Sequence, residues 1–377
     1  FVIVLVAVNL RPVLASLSPL LDVIQHDTGL SDTDAGLLTT LPVVLMGVCL
    51  LGAAPLRRLI GEGNGIAAAI GLIGVAEVAR WIWPQALSMT MTAILGGVGI
   101  AVVQAFIPAA IRRQAGKRTA NLMGLYSTGI MGGALISSLA SPCIARAYGW
   151  PAALGVWSFL AVLGLVAWKR MSFPAVSETK TSRRSDLFRT PRAWLLLTFF
   201  GLGTGAYTLV LAWLPPFYTQ LGWASQSAGT LLGAVTFAEV LAGVAVSLWI
   251  NRSPDRRIAL FAAIGTLLAG LLCLSLAPQL LVWPAVVLAG LGIGALFPLS
   301  LIVAMDHGEG AADSGTIAEF VQGGGYVIAA LMPLIAGVLR QNLSDLTPAW
   351  WLMTALCLVM MVIAICFRPE DRIPSSF

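Results

Sequence analysis

Residues 169–192 read KRMSFPAVSETKTSRRSDLFRTPR, and this stretch decides how the chain is divided. It is the one long polar segment, dense in Ser, Thr, Lys and Arg, and its few apolar residues follow neither helical nor strand spacing. A small soluble domain would need more length and a regular apolar pattern, so the segment reads as a linker. Counting outward, six apolar runs precede it, at about 1–23, 35–56, 65–83, 86–111, 119–142 and 150–169. Six follow it, at about 193–217, 227–250, 257–277, 281–305, 315–339 and 349–367. Each is close to the ~20 residues that cross a bilayer as a helix. The expectation is an all-α membrane protein of twelve transmembrane helices: a six-helix bundle over 1–170, a linker over 171–192 and a second six-helix bundle over 193–377.

Composition agrees. The chain is 58% hydrophobic and 10% charged, with mean hydropathy +0.90, against about 25% charged residues in soluble domains. The net charge of +5 is no sign of a nucleic-acid partner, because its placement follows membrane topology. Five cysteines are scattered in or beside apolar runs without CxxC spacing, and His26 and His307 stand too far apart for a cluster. Neither a metal nor a cofactor is expected. HExxH, GxSxG and Walker motifs are absent, which argues against an enzyme. The chain begins inside an apolar run without Met, so the native N-terminus is expected upstream. The run is too long, and lacks the cleavage site, for a signal peptide.

Among the 22 Lys and Arg, all but Arg11, Arg80, Arg146 and Arg340 fall in the tail or in connections on one side of the twelve spans. The positive-inside rule makes that side cytoplasmic, with both termini on it; the resemblance drawn below implies the inner membrane of a bacterium. The two halves also repeat at an offset of 193 residues. Gly29, Ala35 and Gly36 match Gly222, Ala228 and Gly229, and Gly97-Val-Gly99-Ile100 matches Gly290-Leu-Gly292-Ile293. Such parallel halves form the architecture of the major facilitators, with a cavity on the pseudo-two-fold axis.

Particular motifs carry the resemblance further. Gly52-Ala-Ala-Pro-Leu-Arg57-Arg58-Leu-Ile-Gly61 stands where major facilitators carry Gly-x-x-x-Asp-Arg-x-Gly, with Leu56 or a neighbour in place of the acid. Asn251-Arg252-Ser-Pro-Asp255-Arg256-Arg257 is its second copy and keeps the acid. Asn9-Leu-Arg11-Pro12, Leu38-Thr-Thr-Leu-Pro42, Gly96-Gly-Val-Gly-Ile100, Met123-Gly-Leu-Tyr126-Ser127, Ala212-Trp-Leu-Pro215, Phe320-Val-Gln322-Gly323 and Asp306-His307 resemble the cyanate and nitroimidazole transporter branch. The resemblance implies a secondary transporter importing a small organic anion or polar heterocycle by alternating access, as a monomer in the lipid bilayer, with protons as a possible coupling ion. A proton-driven drug exporter is the alternative, suggested by the Gly- and Ser-rich fifth span (GLYSTGIMGGALISSLASP).

Arg11 is the only charge in the run Phe1–Leu21. A guanidinium cannot shed its proton, and placing it at mid-membrane costs at least ~2.5–3.5 kcal/mol on insertion scales. It is worth keeping where it faces a cavity and meets an anionic or polar solute. The resemblance makes spans one, four, seven and ten cavity-lining, with two, five, eight and eleven flanking. The candidate substrate-binding set is then Arg11, Gln104, Tyr126, Tyr207, Trp213, Phe297, Gln322 and Tyr326. The guanidinium fork would supply charge, the amides hydrogen bonds and the rings packing for a planar anion or azole. Glu239, at the centre of span eight, is either a proton carrier or a fixed counter-ion to Arg11. Glu77 and Arg80, one turn apart in span three, suit an internal structural salt bridge. Pro12, Pro42, Pro108, Pro142, Pro298 and Pro333 are expected to interrupt their spans. Asp306 and His307 are placed at an inner gate or a solvated helix end.

Overall fold

Ser31 begins the second span with a capping box: its hydroxyl accepts the Asp34 N–H at 3.1 Å while the Asp34 carboxylate accepts the Ser31 N–H at 3.2 Å. That box satisfies two of the orphan donors at the start of a 20-residue helix. The computed structural model describes residues 1–114, 119–170, 184–250, 255–308 and 311–368, all helical or turn, with no strand among them. Twelve helical segments are long and apolar enough to cross a membrane: Val2–Thr28, Asp32–Leu51, Glu62–Ile82, Ala86–Ile111, Leu122–Tyr148, Trp150–Lys169, Pro191–Gln220, Ser225–Trp249, Arg256–Leu276, Val282–Asp306, Ser314–Leu343 and Thr347–Ile365. Residues 171–183 of the linker lie outside the described residues. So do Lys117, Arg118, Lys180, Arg183, Arg252 and Arg372, counted above on the basic side.

The internal repeat is built into the backbone. Gly29 and Gly222, 193 residues apart, end the first and seventh spans with φ of 73° and 91°, a left-handed conformation that only glycine adopts freely. Gly97 and Gly290 then press the fourth and tenth spans onto the second and eighth. A Cβ on Gly97 would lie 2.7 Å from the Pro42 Cα, and one on Gly290 2.6 Å from the Val235 carbonyl. Pro42 and Val235 are themselves 193 apart. Small residues let helix backbones touch where lipid offers no hydrophobic drive for packing.

The first span, counted above as about 1–23, extends to Thr28 and is interrupted near Pro12. It runs as Val2–Val8, Pro12–Ala15, a 3-10 turn over Ser18–Leu20, and Leu21–Thr28. Pro12 and Pro19 each withhold an N–H, and the intervening serines turn their hydroxyls on the backbone, as in Ser16 Oγ to Pro12 O. The other expected interruptions did not all follow. Pro42, Pro108, Pro142 and Pro298 sit inside unbroken helices, and Pro333 falls in the first turn of Leu331–Leu343. The eleventh span breaks just before that helix, at Ala330. Its freed carbonyls are taken by Thr208 Oγ1 to Ala329 O and Thr40 Oγ1 to Ala330 O, each at 2.8 Å.

The halves meet along three seams. The second span packs on the eleventh, where Cβ atoms on Gly36 and Gly47 would meet the Pro333 and Gly323 carbonyls at 2.6 and 2.5 Å. The fifth packs on the eighth around Gly229 and Gly233. The first meets the seventh through Ser18 Oγ donating to Ala212 O at 2.8 Å. This last seam lies toward the end of the bundle opposite the chain termini.

Candidate functional site

The break in the first span leaves Arg11 at the head of the short helix Pro12–Ala15, near mid-depth. It is 7% exposed. Its Nε is buried without a partner, and no acceptor among the described residues takes a hydrogen bond from its guanidinium. The guanidinium lies over the Tyr207 ring, 5.2 Å from its centroid, a cation–π contact that offsets desolvation without using any N–H. Tyr126 of span five, Tyr326 of span eleven and Glu239 of span eight all lie within its electrostatic reach. Four residues from four other spans, drawn from both halves, therefore converge around one cation.

Glu239 is 6% exposed and its Oε2 has no partner. It is pinned by backbone: a Cβ on Gly294 would lie 2.3 Å from the Glu239 carbonyl, so the eighth and tenth spans touch there. It does not close an ion pair with Arg11. The carboxylate and the guanidinium feel each other across a gap, and both keep unused hydrogen-bonding capacity. The Tyr126 and Tyr207 hydroxyls are likewise buried without partners, as is the Thr204 hydroxyl. Buried polar groups are nearly always paired, so Arg11, Glu239, Tyr126 and Tyr207 together leave unmet hydrogen-bonding capacity in one cluster.

Other expected residues fall at different places. Phe297 reaches the cluster through Phe200, whose ring lies 5.5 Å from both Phe297 and Tyr326. Gln104 and Gln322 are half-buried and make no hydrogen bond among the described residues. Trp213 turns away: its Nε1 donates to Pro333 O at 2.9 Å, and Arg340 covers its ring at 5.6 Å. The Glu77–Arg80 salt bridge is not formed. Arg80 donates through Nε to Thr92 Oγ1 at 3.0 Å and through Nη1 to Val13 O at 2.7 Å, while its Nη2 and both Glu77 oxygens stay unpartnered. Asp306 pairs with Arg256 at 3.0 Å, tying the ninth span to the tenth, and His307 Nδ1 lies 2.7 Å from Val303 O. Among the described residues no group of three or more His, Cys, Asp or Glu could hold a metal.

Three features escaped the sequence reading. Phe200 looks like any core phenylalanine. Thr204 stands at the position 193 residues beyond Arg11, a signal the repeat carried. The third is a lock at the end opposite the termini. Arg340 Nη2 bonds Asp22 Oδ1 at 3.0 Å, and its Nη1 lies 3.5 Å from Asp32 Oδ1. Thr219 donates to Asp22, Gln220 Nε2 donates to Ser344 O at 2.7 Å, and the Thr33 N–H donates to Gln341 at 3.1 Å. Arg340 had been visible only as a basic residue on the wrong side of the charge bias.

Comparison with known proteins matches this geometry. The chain is 37% identical to the cyanate transport protein CynX of Escherichia coli (strain K12) over 98% of its own length and 96% of that protein's. It is 27% identical to the 2-nitroimidazole transporter of the same organism, over 98% and 95%. The crystal structure of a D-xylose-proton symporter superposes with a TM-score of 0.75 at 15% identity, covering 98% of this chain and 97% of that one, which speaks for the fold. Residues 4–330 match the Major Facilitator Superfamily. With twelve spans in two repeated halves and a polar cluster where those halves meet, the chain belongs to the Major Facilitator Superfamily of membrane transporters.

Proposed function

We propose that this protein imports a small planar anion, with cyanate the first candidate, together with one proton carried on Glu239. The observation that carries the reading is Arg11: a buried permanent cation with no hydrogen-bond acceptor, facing a carboxylate it does not touch. An anion in that gap would receive the guanidinium fork, as charge-assisted hydrogen bonds strong enough to offset its desolvation. The Tyr126 and Tyr207 hydroxyls are free to donate to its other end. The likeness to the cyanate and nitroimidazole transporters supports a small flat solute.

Coupling follows from competition for one cation. While Glu239 is ionised, it and the solute both draw on Arg11 and repel each other. Protonating Glu239 removes that repulsion, so proton and anion favour each other's binding, and by linkage the preference is mutual. One proton and one monovalent anion carry no net charge together. Transport should then respond to a pH gradient and not to membrane potential.

The basic side supports placing the termini in the cytoplasm of a bacterial inner membrane. The Arg340 lock is then periplasmic, and the conformation described is closed to the periplasm. A drug-cation exporter fits less well, because Arg11 would repel its substrate.

The test is cyanate uptake into proteoliposomes under an imposed pH gradient. Wild type should accumulate cyanate, and Arg11→Lys should lose at least about tenfold in affinity while remaining folded, since an ammonium cannot reproduce the fork. Unchanged affinity in Arg11→Lys would overturn the assignment.

A further inference from the structure

We infer that Arg80 is a positioning residue for Arg11: it caps the carbonyl that the break in the first span leaves bare, and so holds Arg11 in the cluster with Tyr207 and Glu239. The backbone shows why a cap is needed. After Pro12–Ala15 the helix tightens: Ser16 N–H still bonds Pro12 O, four residues back, at 3.1 Å, but Leu17 N–H bonds Leu14 O, only three back, at 3.3 Å. In a regular helix Leu17 would have bonded Val13 O. Val13 O, two residues beyond Arg11, is left without a backbone donor at membrane depth, where no bulk water can supply one.

Arg80 fills that role from the third span. Its Nη1 donates to Val13 O at 2.7 Å, and its Nε donates to Thr92 Oγ1 at 3.0 Å. Thr92 is itself fixed, its one hydroxyl proton directed at Ser88 O at 2.7 Å, with Met89 O also in reach at 3.0 Å. One chain of hydrogen bonds thus runs from the fourth span through Arg80 to the bend. Glu77 lies on the same helix within electrostatic reach but forms no ion pair with Arg80. The guanidinium is therefore aimed by its hydrogen bonds to Thr92 and Val13, not by a carboxylate.

A second pin holds the other side of the break. Asn9 Nδ2 donates to Leu5 O at 2.8 Å, within its own helix, and to Leu160 O of the sixth span at 3.0 Å. Gly164 leaves the space for it: a Cβ there would meet Asn9 Nδ2 at 3.0 Å. Arg11 hangs between these two pins, two residues from each, with its backbone direction set from both ends. A buried permanent charge is a costly way to pack helices. Here its one cross-span backbone contact falls on the segment that carries the solute's cation.

The transport consequence rests on the proposed role of Arg11, whereas the capping itself does not. Two readouts separate them. Hydrogen exchange of the 10–18 segment, measured without ligand in purified protein, should rise at least about tenfold in Arg80→Met. Sodium cyanate affinity should fall by at least about tenfold in the same variant. Arg80→Lys, which keeps the charge and a donor able to reach Val13 O, should recover most of both. Thr92→Val, which keeps the charge and loosens only its aim, should shift both in the direction of Arg80→Met, and it carries the comparison if Arg80→Met fails to fold. Unchanged exchange over 10–18, or a rise spread evenly over the whole protein with no rescue by Lys, would overturn the inference. If wild type does not bind cyanate, the solute reading fails while the exchange data still decide the role of Arg80.

Discussion

Replacing Arg340 by Gln should open the end of the transporter that is sealed here. Arg340 comes from the eleventh span and its two carboxylates from the first and second, so the contact exists only while the halves touch at that end. The side chain of Arg340 is 14% exposed, those of Asp22 and Asp32 38% and 24%. One charge-assisted hydrogen bond at 3.0 Å would be worth about 1.5–3 kcal/mol if buried. The exposure of Asp22 brings that down to about 1 kcal/mol, the upper range for solvated pairs. The 3.5 Å approach to Asp32, whose side chain is the less exposed of the two, adds about another 1 kcal/mol, whereas the stacking on Trp213 stays within one half and drops out. Losing about 2 kcal/mol from one of two states shifts their ratio by about thirtyfold. The assay is thiol labelling. In a background with the five native cysteines replaced, Ser18→Cys lies in the sealed seam and reacts only when the halves part. A membrane-impermeant maleimide should label it about thirtyfold faster when Arg340→Gln is added. Labelling within about twofold of the parent would refute the lock, since the opening equilibrium would then not depend on Arg340.

Other outcomes follow from the same geometry. Glu239→Gln should abolish accumulation of cyanate under a pH gradient while leaving cyanate exchange across the membrane intact; pH-driven accumulation that survives would remove Glu239 from coupling. Gly292→Ala should destabilise by about 1–3 kcal/mol through overpacking, because its Cβ would lie 2.5 Å from the Leu267 backbone nitrogen. Gly265→Ala, with nothing within 4 Å, should leave the melting temperature nearly unchanged. Asp255, ahead of the ninth span, is held below the usual carboxylate range by its side-chain hydrogen bonds with Arg257 and by the Arg257 N–H it caps. Its contribution is therefore present at neutral pH and lost as pH falls through that lowered value. Asp255→Ala should cost about 1 kcal/mol at neutral pH, the usual loss of an N-cap, and nothing in strong acid, as read by thermal unfolding at both.

A single sequence carried the twelve spans, because crossing a bilayer is a local demand for length and apolarity that each segment meets by itself. It carried the repeat too, since Gly29 and Gly222, or Gly97 and Gly290, answer the same backbone need in each half. Arg11 and Glu239 were legible because an ionisable group at mid-membrane is anomalous wherever it occurs. What they touch was not legible. Glu77 and Arg80, one turn apart, look like a salt bridge on helical spacing alone. The tertiary structure instead sends Arg80 to Val13, 67 residues away, because the bend there frees a carbonyl. Arg340 finds Asp22 across 318 residues only because the halves close at that end. Trp213 could have faced the cluster or a neighbouring helix, and the packing of the seventh span on the eleventh turned its Nε1 to Pro333 O. Local free energies set which segments become helices. Where a helix breaks, and which buried donor meets which bare carbonyl, depends on neighbours that only the packed bundle brings together.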